Sequence, residues 1–160
     1  MHSFADDTQL YLCCSREELT STIVRLQQCI TDINHWMAAN RLQLNMDKTE
    51  LLWAGTRHSL SLGGGSFPSL QLAGDTIHPS QHVRVLGVVI SADLSLKKHA
   101  TNVSATCFYH LRRLRHIRRT LSKESAATLV HAFVTSRVDY CNVVFAGAPK
   151  TVTNKLYNEC

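Results

Sequence analysis

Apolar residues recur along the chain in two rhythms. Residues 1–14 follow the first: Phe4 and Ala5 lead into the acidic pair Asp6-Asp7, and Thr8-Gln9-Leu10-Tyr11-Leu12-Cys13 alternates as a half-buried strand does. This predicts strand, acidic turn, strand. Ser15 with Glu18 then forms a capping box, and Leu19, Ile23, Leu26, Ile30, Ile33 and Met37 fall on one side of a helix reaching about Asn40. Leu42 and Leu44 open an extended piece, Asn45 to Lys48 a polar turn, and Thr49 to Ala54 a further strand. Residues 55–69 are a loop around Gly63-Gly64-Gly65. It is not a phosphate loop, because no Gly-Lys-Ser/Thr follows and no helix starts there. Leu70 to Ile77 predicts a hairpin turning at Gly74-Asp75, and Val83 to Ile90 an apolar strand interrupted at Gly87.

The second half changes to the helical rhythm. Leu96, Ala100, Val103, Cys107, Leu111, Leu114 and Ile117 share one face of a helix running from about Leu96 to Thr120. Another opens at Ser122, carries Leu129, Val130, Phe133, Val134 and Val138, and ends near Gly147 and Pro149. Residues 151–160 begin a further helix. The pattern predicts an α+β chain, mixed in front and helical behind, with the junction near Ser91 to Ser95.

Composition narrows the classes. With 160 residues, 44% of them hydrophobic, the chain makes one domain, or one small domain with an appendage. No apolar run approaches the ~20 residues of a membrane span, and the first residues lack a signal-peptide pattern, so no membrane partner is expected. A net charge of +5 suits contact with nucleic acid, and suits a mildly basic surface equally well. The six cysteines contain no C-x-x-C pair and read as reduced thiols. His78 and His82 have zinc-like spacing without a cysteine pair to complete a set.

Two features carry candidate chemistry. Adjacent carboxylates at the tip of an apolar hairpin repel one another, which makes sense if a divalent cation bridges them; magnesium prefers hard oxygen ligands. An ordinary acidic turn is the plainer explanation. The second feature is the helix from Leu96 to Thr120, where Lys97, Lys98, Arg112, Arg113, Arg115, Arg118 and Arg119 occur with no acidic residue among them. Arg112, Arg115 and Arg119 lie away from the apolar stripe with Tyr109 and His116 beside them, giving phosphate contacts plus flat groups for stacking. Arg118 falls at the edge of the apolar face and must snorkel or lie beyond the helix end.

Phe4-Ala5-Asp6-Asp7-Thr8-Gln9-Leu10-Tyr11 resembles the catalytic hairpin of reverse transcriptases, especially those of jockey-like non-LTR (LINE-type) retrotransposons. Asn45-Met46-Asp47-Lys48-Thr49-Glu50 resembles the family's Asn-x-x-Lys-Thr-Glu motif, Val83-Arg84-Val85-Leu86-Gly87-Val88 its palm-to-thumb segment, and Tyr140-Cys141-Asn142 its thumb-region pattern. The four stand in family order. The resemblance implies a partial polymerase palm over residues 1–92, of antiparallel strands with a packed helix, and a helical thumb-like region over residues 93–160. It implies RNA-directed DNA synthesis, with an RNA template, a DNA primer and deoxynucleoside triphosphates as partners, in the nucleus. Asp6 is implied as a main ligand of two catalytic magnesium ions and Asp7 as its support. Lys48 is implied near the incoming triphosphate, placed to protonate or stabilise the pyrophosphate; a solvated turn lysine is the plain alternative. Tyr109, Arg112, Arg113, Arg115 and Arg119 are expected on the template–primer duplex.

The family also needs an aspartate on an earlier strand and a Gln/Gly-containing motif upstream of the hairpin. Ahead of its hairpin this chain has only Met1, His2 and Ser3. The expectation is therefore a piece of a larger polymerase, truncated at both ends and inactive alone. A catalytically dead nucleic-acid-binding module derived from one is the alternative, and an unrelated basic α+β protein with a turn of aspartates the third reading.

Overall fold

The computed structural model describes residues 2–4, 7–61, 67–72, 74–140 and 142–159. The architecture is mixed α+β, with three small antiparallel hairpins and a set of helices. It divides into two compact units between Gln81 and His82.

In the first unit, β1 (His2–Phe4) pairs antiparallel with β2 (Asp7–Gln9), His2 opposite Gln9 and Phe4 opposite Asp7. The strand expected through Cys13 stops at Gln9. Among the described residues the alternation beyond it has no ladder partner, and Tyr11 and Leu12 are exposed. Tyr11 instead turns back to His2, its hydroxyl 2.7 Å from Nε2. Helix α1 (Leu19–Ala39) follows, with the expected stripe buried or half-buried at every position. The Ser15–Glu18 box forms in part: the Ser15 amide and hydroxyl both donate to the Glu18 carboxylate, at 3.1 and 2.9 Å.

The α1 stripe covers β3 (Leu70–Leu72), which pairs with β4 (Asp75–Ile77) through a turn containing Gly74. Ile23, Leu51, Leu70 and Leu72 make the core here, with Leu26, Ile30, Met46, Trp53 and Ile77 against it. The strand expected at Thr49 to Ala54 is reduced to a single parallel bridge, Leu51 to Pro79. Proline has no N–H to extend a ladder, which accounts for the loss. Short helix α2 (Arg57–Ser61) lies within the expected loop, whose Gly63-Gly64-Gly65 core falls outside the described residues.

The second unit begins with β5 (His82–Val85) and β6 (Val88–Ser91), an antiparallel hairpin. The single strand expected over Val83 to Ile90 is thus two. Leu86 (φ 46°) and Gly87 (φ 84°) both take left-handed backbone, the combination a tight two-residue hairpin turn requires. The hairpin packs on α3 (Lys97–Ile117), where Val88 and Ser91 are buried. The expected junction near residue 92 consequently falls inside this unit.

Beyond α3, a 3-10 turn (Arg118–Thr120) leads to α4 (Lys123–Val130), capped by the Ser122 hydroxyl, which accepts the Ser125 N–H at 3.0 Å. The helix expected to run to Gly147 passes through a π turn (His131–Thr135) into α5 (Ser136–Asp139) and stops. A 3-10 turn (Asn142–Phe145) and Gly147 (φ 82°) separate it from α6 (Lys150–Glu159), which packs on α3. Ala100, Phe145 and Val152 form this unit's core cluster.

Candidate nucleic-acid interface

Charge is distributed very unevenly. Residues 1–81 carry five lysines and arginines against eight aspartates and glutamates, while residues 82–160 carry twelve against four. The +5 of the whole chain is therefore −3 on one unit and +8 on the other. The excess positive charge concentrates on α3 and the turn after it.

Helix α3 fixes where those charges point. Its inward face is set by Ala100, Ser104 and Cys107, all buried, and by half-buried Val103, Leu111 and Leu114. Ile117, expected on this face, is 46% exposed. The stripe loses its cover in the last turn. Arg112, Arg113, Arg115 and Arg119 are all exposed, and Arg112, Arg115 and Arg119 have no ion-pair partner among the described residues. Uncompensated guanidinium groups on one helix remain open to an external anion.

Tyr109 lies one turn before Arg113 and organises it. Nη1 of Arg113 donates to the Tyr109 hydroxyl at 3.1 Å, and the guanidinium carbon lies 5.6 Å from the ring centroid. The cation–π contact leaves a flat polar surface at which an exposed base or sugar can rest. Arg115 departs from the expected grouping. It lines a groove with Leu111 and Leu114, which its neighbours Arg112 and Arg119 on the same helical stretch do not line. Arg118 lies just beyond the end of α3, its Nη1 donating to the Leu121 carbonyl at 3.2 Å, and lines the same groove.

The base of the helix is anchored on the β5–β6 hairpin by His99. This buried ring accepts the Val89 N–H at Nδ1, 3.4 Å away, and stacks on Phe145 at 5.7 Å between centroids. Burial holds its pKa below the ordinary histidine value, and the nearby Arg84 charge pushes the same way. Tyr140 adds a second anchor, its hydroxyl donating to the Leu86 carbonyl at 2.7 Å. A Cβ on Gly87 would sit 3.3 Å from the Tyr140 ring, so the smallest side chain is needed at that turn. Two motif segments singled out in the sequence, residues 83–88 and 140–142, thus meet through Leu86, Gly87 and Tyr140. Cys141 lies outside the described residues.

Only part of the carboxylate site lies among the described residues. Asp6 lies outside the described residues. Asp7 opens β2 with its side chain exposed, and Lys48 ends a 3-10 turn (Met46–Lys48), also exposed. No hydrogen bond or ion pair joins Asp7 to Lys48. Among the described residues no group of three His, Cys, Asp or Glu side chains could hold a metal ion. A two-magnesium centre needs several oxygen ligands around each ion, and the described residues by themselves do not supply them. His82, which shared zinc-like spacing with His78, has its Nδ1 3.1 Å from the Ser91 hydroxyl across the hairpin.

The basic helix was legible in the sequence, but the groove that Arg115 and Arg118 line was not. Nor was His99, whose burial depends on the hairpin folding back onto α3. No helix among the described residues is long and apolar enough to cross a membrane. The chain matches no family model, no curated protein and no solved structure with which it was compared.

Proposed function

We propose that this chain binds a nucleic-acid duplex through the phosphate contacts of α3, as part of an RNA-directed DNA polymerase of the non-LTR retrotransposon kind. The observation that carries the binding is the run of exposed arginines, Arg112, Arg113 and Arg119, on the +8 unit. Closely spaced cations free of internal carboxylates lose counterion-screened repulsion on meeting phosphates, and the released counterions drive association. Tyr109 beside Arg113 supplies a stacking surface at the edge of the same face.

The polymerase part of the proposal is supported by the four motifs in family order. In it, α3 grips the hybrid of RNA template and DNA primer, and the hairpin bearing Asp6 and Asp7 belongs to the site of nucleotide addition. Magnesium and deoxynucleoside triphosphates enter this reading only with further carboxylates from outside the described residues, and the nucleus is the matching compartment. Duplex binding without nucleotide addition is the second reading. It draws on the basic face alone, which needs no metal centre to bind phosphates.

A salt titration of RNA–DNA duplex affinity tests the binding. Replacing Arg112, Arg113 and Arg119 with alanine should weaken binding across sequences and shrink the log–log salt slope by roughly 0.7 to 0.9 per residue removed. Asp7→Asn should leave affinity intact or slightly raised. A triple-alanine chain with the parent's affinity and slope would show the basic face to be only a solvated surface. Primer extension by the chain in magnesium would decide between the two readings in favour of a working polymerase.

A further inference from the structure

Helices α3 and α4 enclose an open groove of about 570 Å³. Its lining is mainly apolar, with Leu111 and Leu114 from α3, Leu121 from the connection, and Ala126, Ala127 and Val130 from α4, and it turns polar at His131 and Thr135 of the π turn. The pattern follows from helical spacing, since positions three and four apart share a side. Two adjacent alanines leave open the space that larger side chains would fill. Cations stand around this floor: Arg115 from α3, Arg118 from the 3-10 turn after it, and Lys123 from the first turn of α4. The bond from Arg118 to the Leu121 carbonyl holds one of them in place. Glu124, the acid adjacent in sequence, does not line the groove.

An apolar trough edged by cations is complementary to a ligand with an apolar stripe and acidic flanks. We propose that this groove docks an acidic amphipathic helix of a partner protein. Its apolar face would seat on the leucine and alanine floor, and its carboxylates would meet Arg115, Arg118 and Lys123. The α3 wall with the start of the turn after it, from Leu111 to Arg118, is about two helical turns long. That length suits an occupant presenting apolar residues at i, i+3 or i+4, and i+7. The charges select an acidic partner over a basic one and speed its approach. A nucleic-acid duplex is the poorer occupant, because its phosphates gain nothing from a leucine floor. The face assigned to the duplex, with Tyr109, Arg112, Arg113 and Arg119, contributes no residue to this groove.

The probe is a synthetic helical peptide of about twelve residues, long enough to span the α3 wall, with a leucine stripe and glutamate flanks. Its twin carries lysine in place of glutamate. The full chain should bind the glutamate peptide about tenfold more tightly than the twin, the scale expected where charges select the partner. Ala127→Trp, which fills the groove, should abolish peptide binding while leaving duplex affinity and the helical circular dichroism unchanged. Arg115→Glu with Lys123→Glu should reverse the preference between the peptides, which keeps the test open if the tryptophan disturbs folding. The proposal is overturned by equal binding of both peptides, or by a preference that charge reversal leaves untouched. Loss of duplex rather than peptide binding in Ala127→Trp would reassign the groove to nucleic acid. Self-association of the parent that Ala127→Trp abolishes would reassign it to a second copy.

Discussion

His99 is the residue whose chemistry ties most directly to stability. Its ring accepts a backbone N–H from β6, and it is buried against Phe145. Only the neutral imidazole can accept that bond. Since its folded pKa lies below the ordinary value of 6.5, the unfolded chain takes up the proton first as pH falls. The stabilisation is complete above 6.5 and is lost as pH drops through the lowered folded value. Thermal melts from pH 7.5 to 5 should therefore show the β5–β6 and α3 region losing stability, and His99→Gln should flatten the decline. A variant with the parent's full decline would rule His99 out as its source. Glu18 works in a separate, more acidic window. Bonds from the Ser15 amide and then its hydroxyl hold its pKa below 4.5, so that contribution goes as pH falls through the lowered value. The Ser15–Glu18 pairing was legible in the sequence because it is local. His99 was not, because a chain position ten residues beyond Val89 gives no sign of which strand it will meet.

Among elements, the long amphipathic helices and two of the three hairpins were readable, and the third hairpin and the strand at Thr49 to Ala54 were not. The stripe of α1 and most of that of α3 follow directly from apolar spacing, which a helix of many turns repeats often enough to be unambiguous. The β5–β6 hairpin shows the opposite case. Its sequence reads as one apolar run, and only the left-handed backbone at Leu86 and Gly87 turns it into two strands. Gly87→Ala should test how much that turn matters. A methyl group at φ 84° and 3.3 Å from Tyr140 should cost about 1 to 2 kcal/mol. Urea unfolding measures this directly, and a change within error of zero would mean that the turn relaxes freely.

At the scale of the whole molecule, net charge proved a poor guide until the boundary at His82 was known. A +5 chain is only mildly basic, whereas a +8 unit of half its length is a strong polyanion binder in prospect. The basic helix was visible in the sequence as a run of arginines. Its division into an outer face and a groove wall depends on where α4 returns, which the sequence does not state. If the second unit alone carries the binding, residues 82–160 expressed separately should keep the parent's helical signal for that region and its duplex affinity within a few-fold. A folded 82–160 piece with no affinity would place the binding determinants in residues 1–81 as well.

The π turn between α4 and α5 has a consequence for how this segment can change over evolutionary time. A regular helix facing inward at Leu129 returns inward three or four residues later. Here Phe133 is 40% exposed and Val134, five residues after Leu129, is the buried one at 6%. The wide turn absorbs one surplus residue locally, so the helix on either side keeps its heading while the numbering slips by one. Val138 and Tyr140 inherit that slip. A single-residue deletion is ruinous in most helices because it rotates everything downstream by about 100°. Between His131 and Thr135 the same deletion should tighten the turn to an ordinary α-helical one and preserve the bond from the Tyr140 hydroxyl to the Leu86 carbonyl. This short stretch is thus a place where the length of the chain can vary by one without the unit losing its packing.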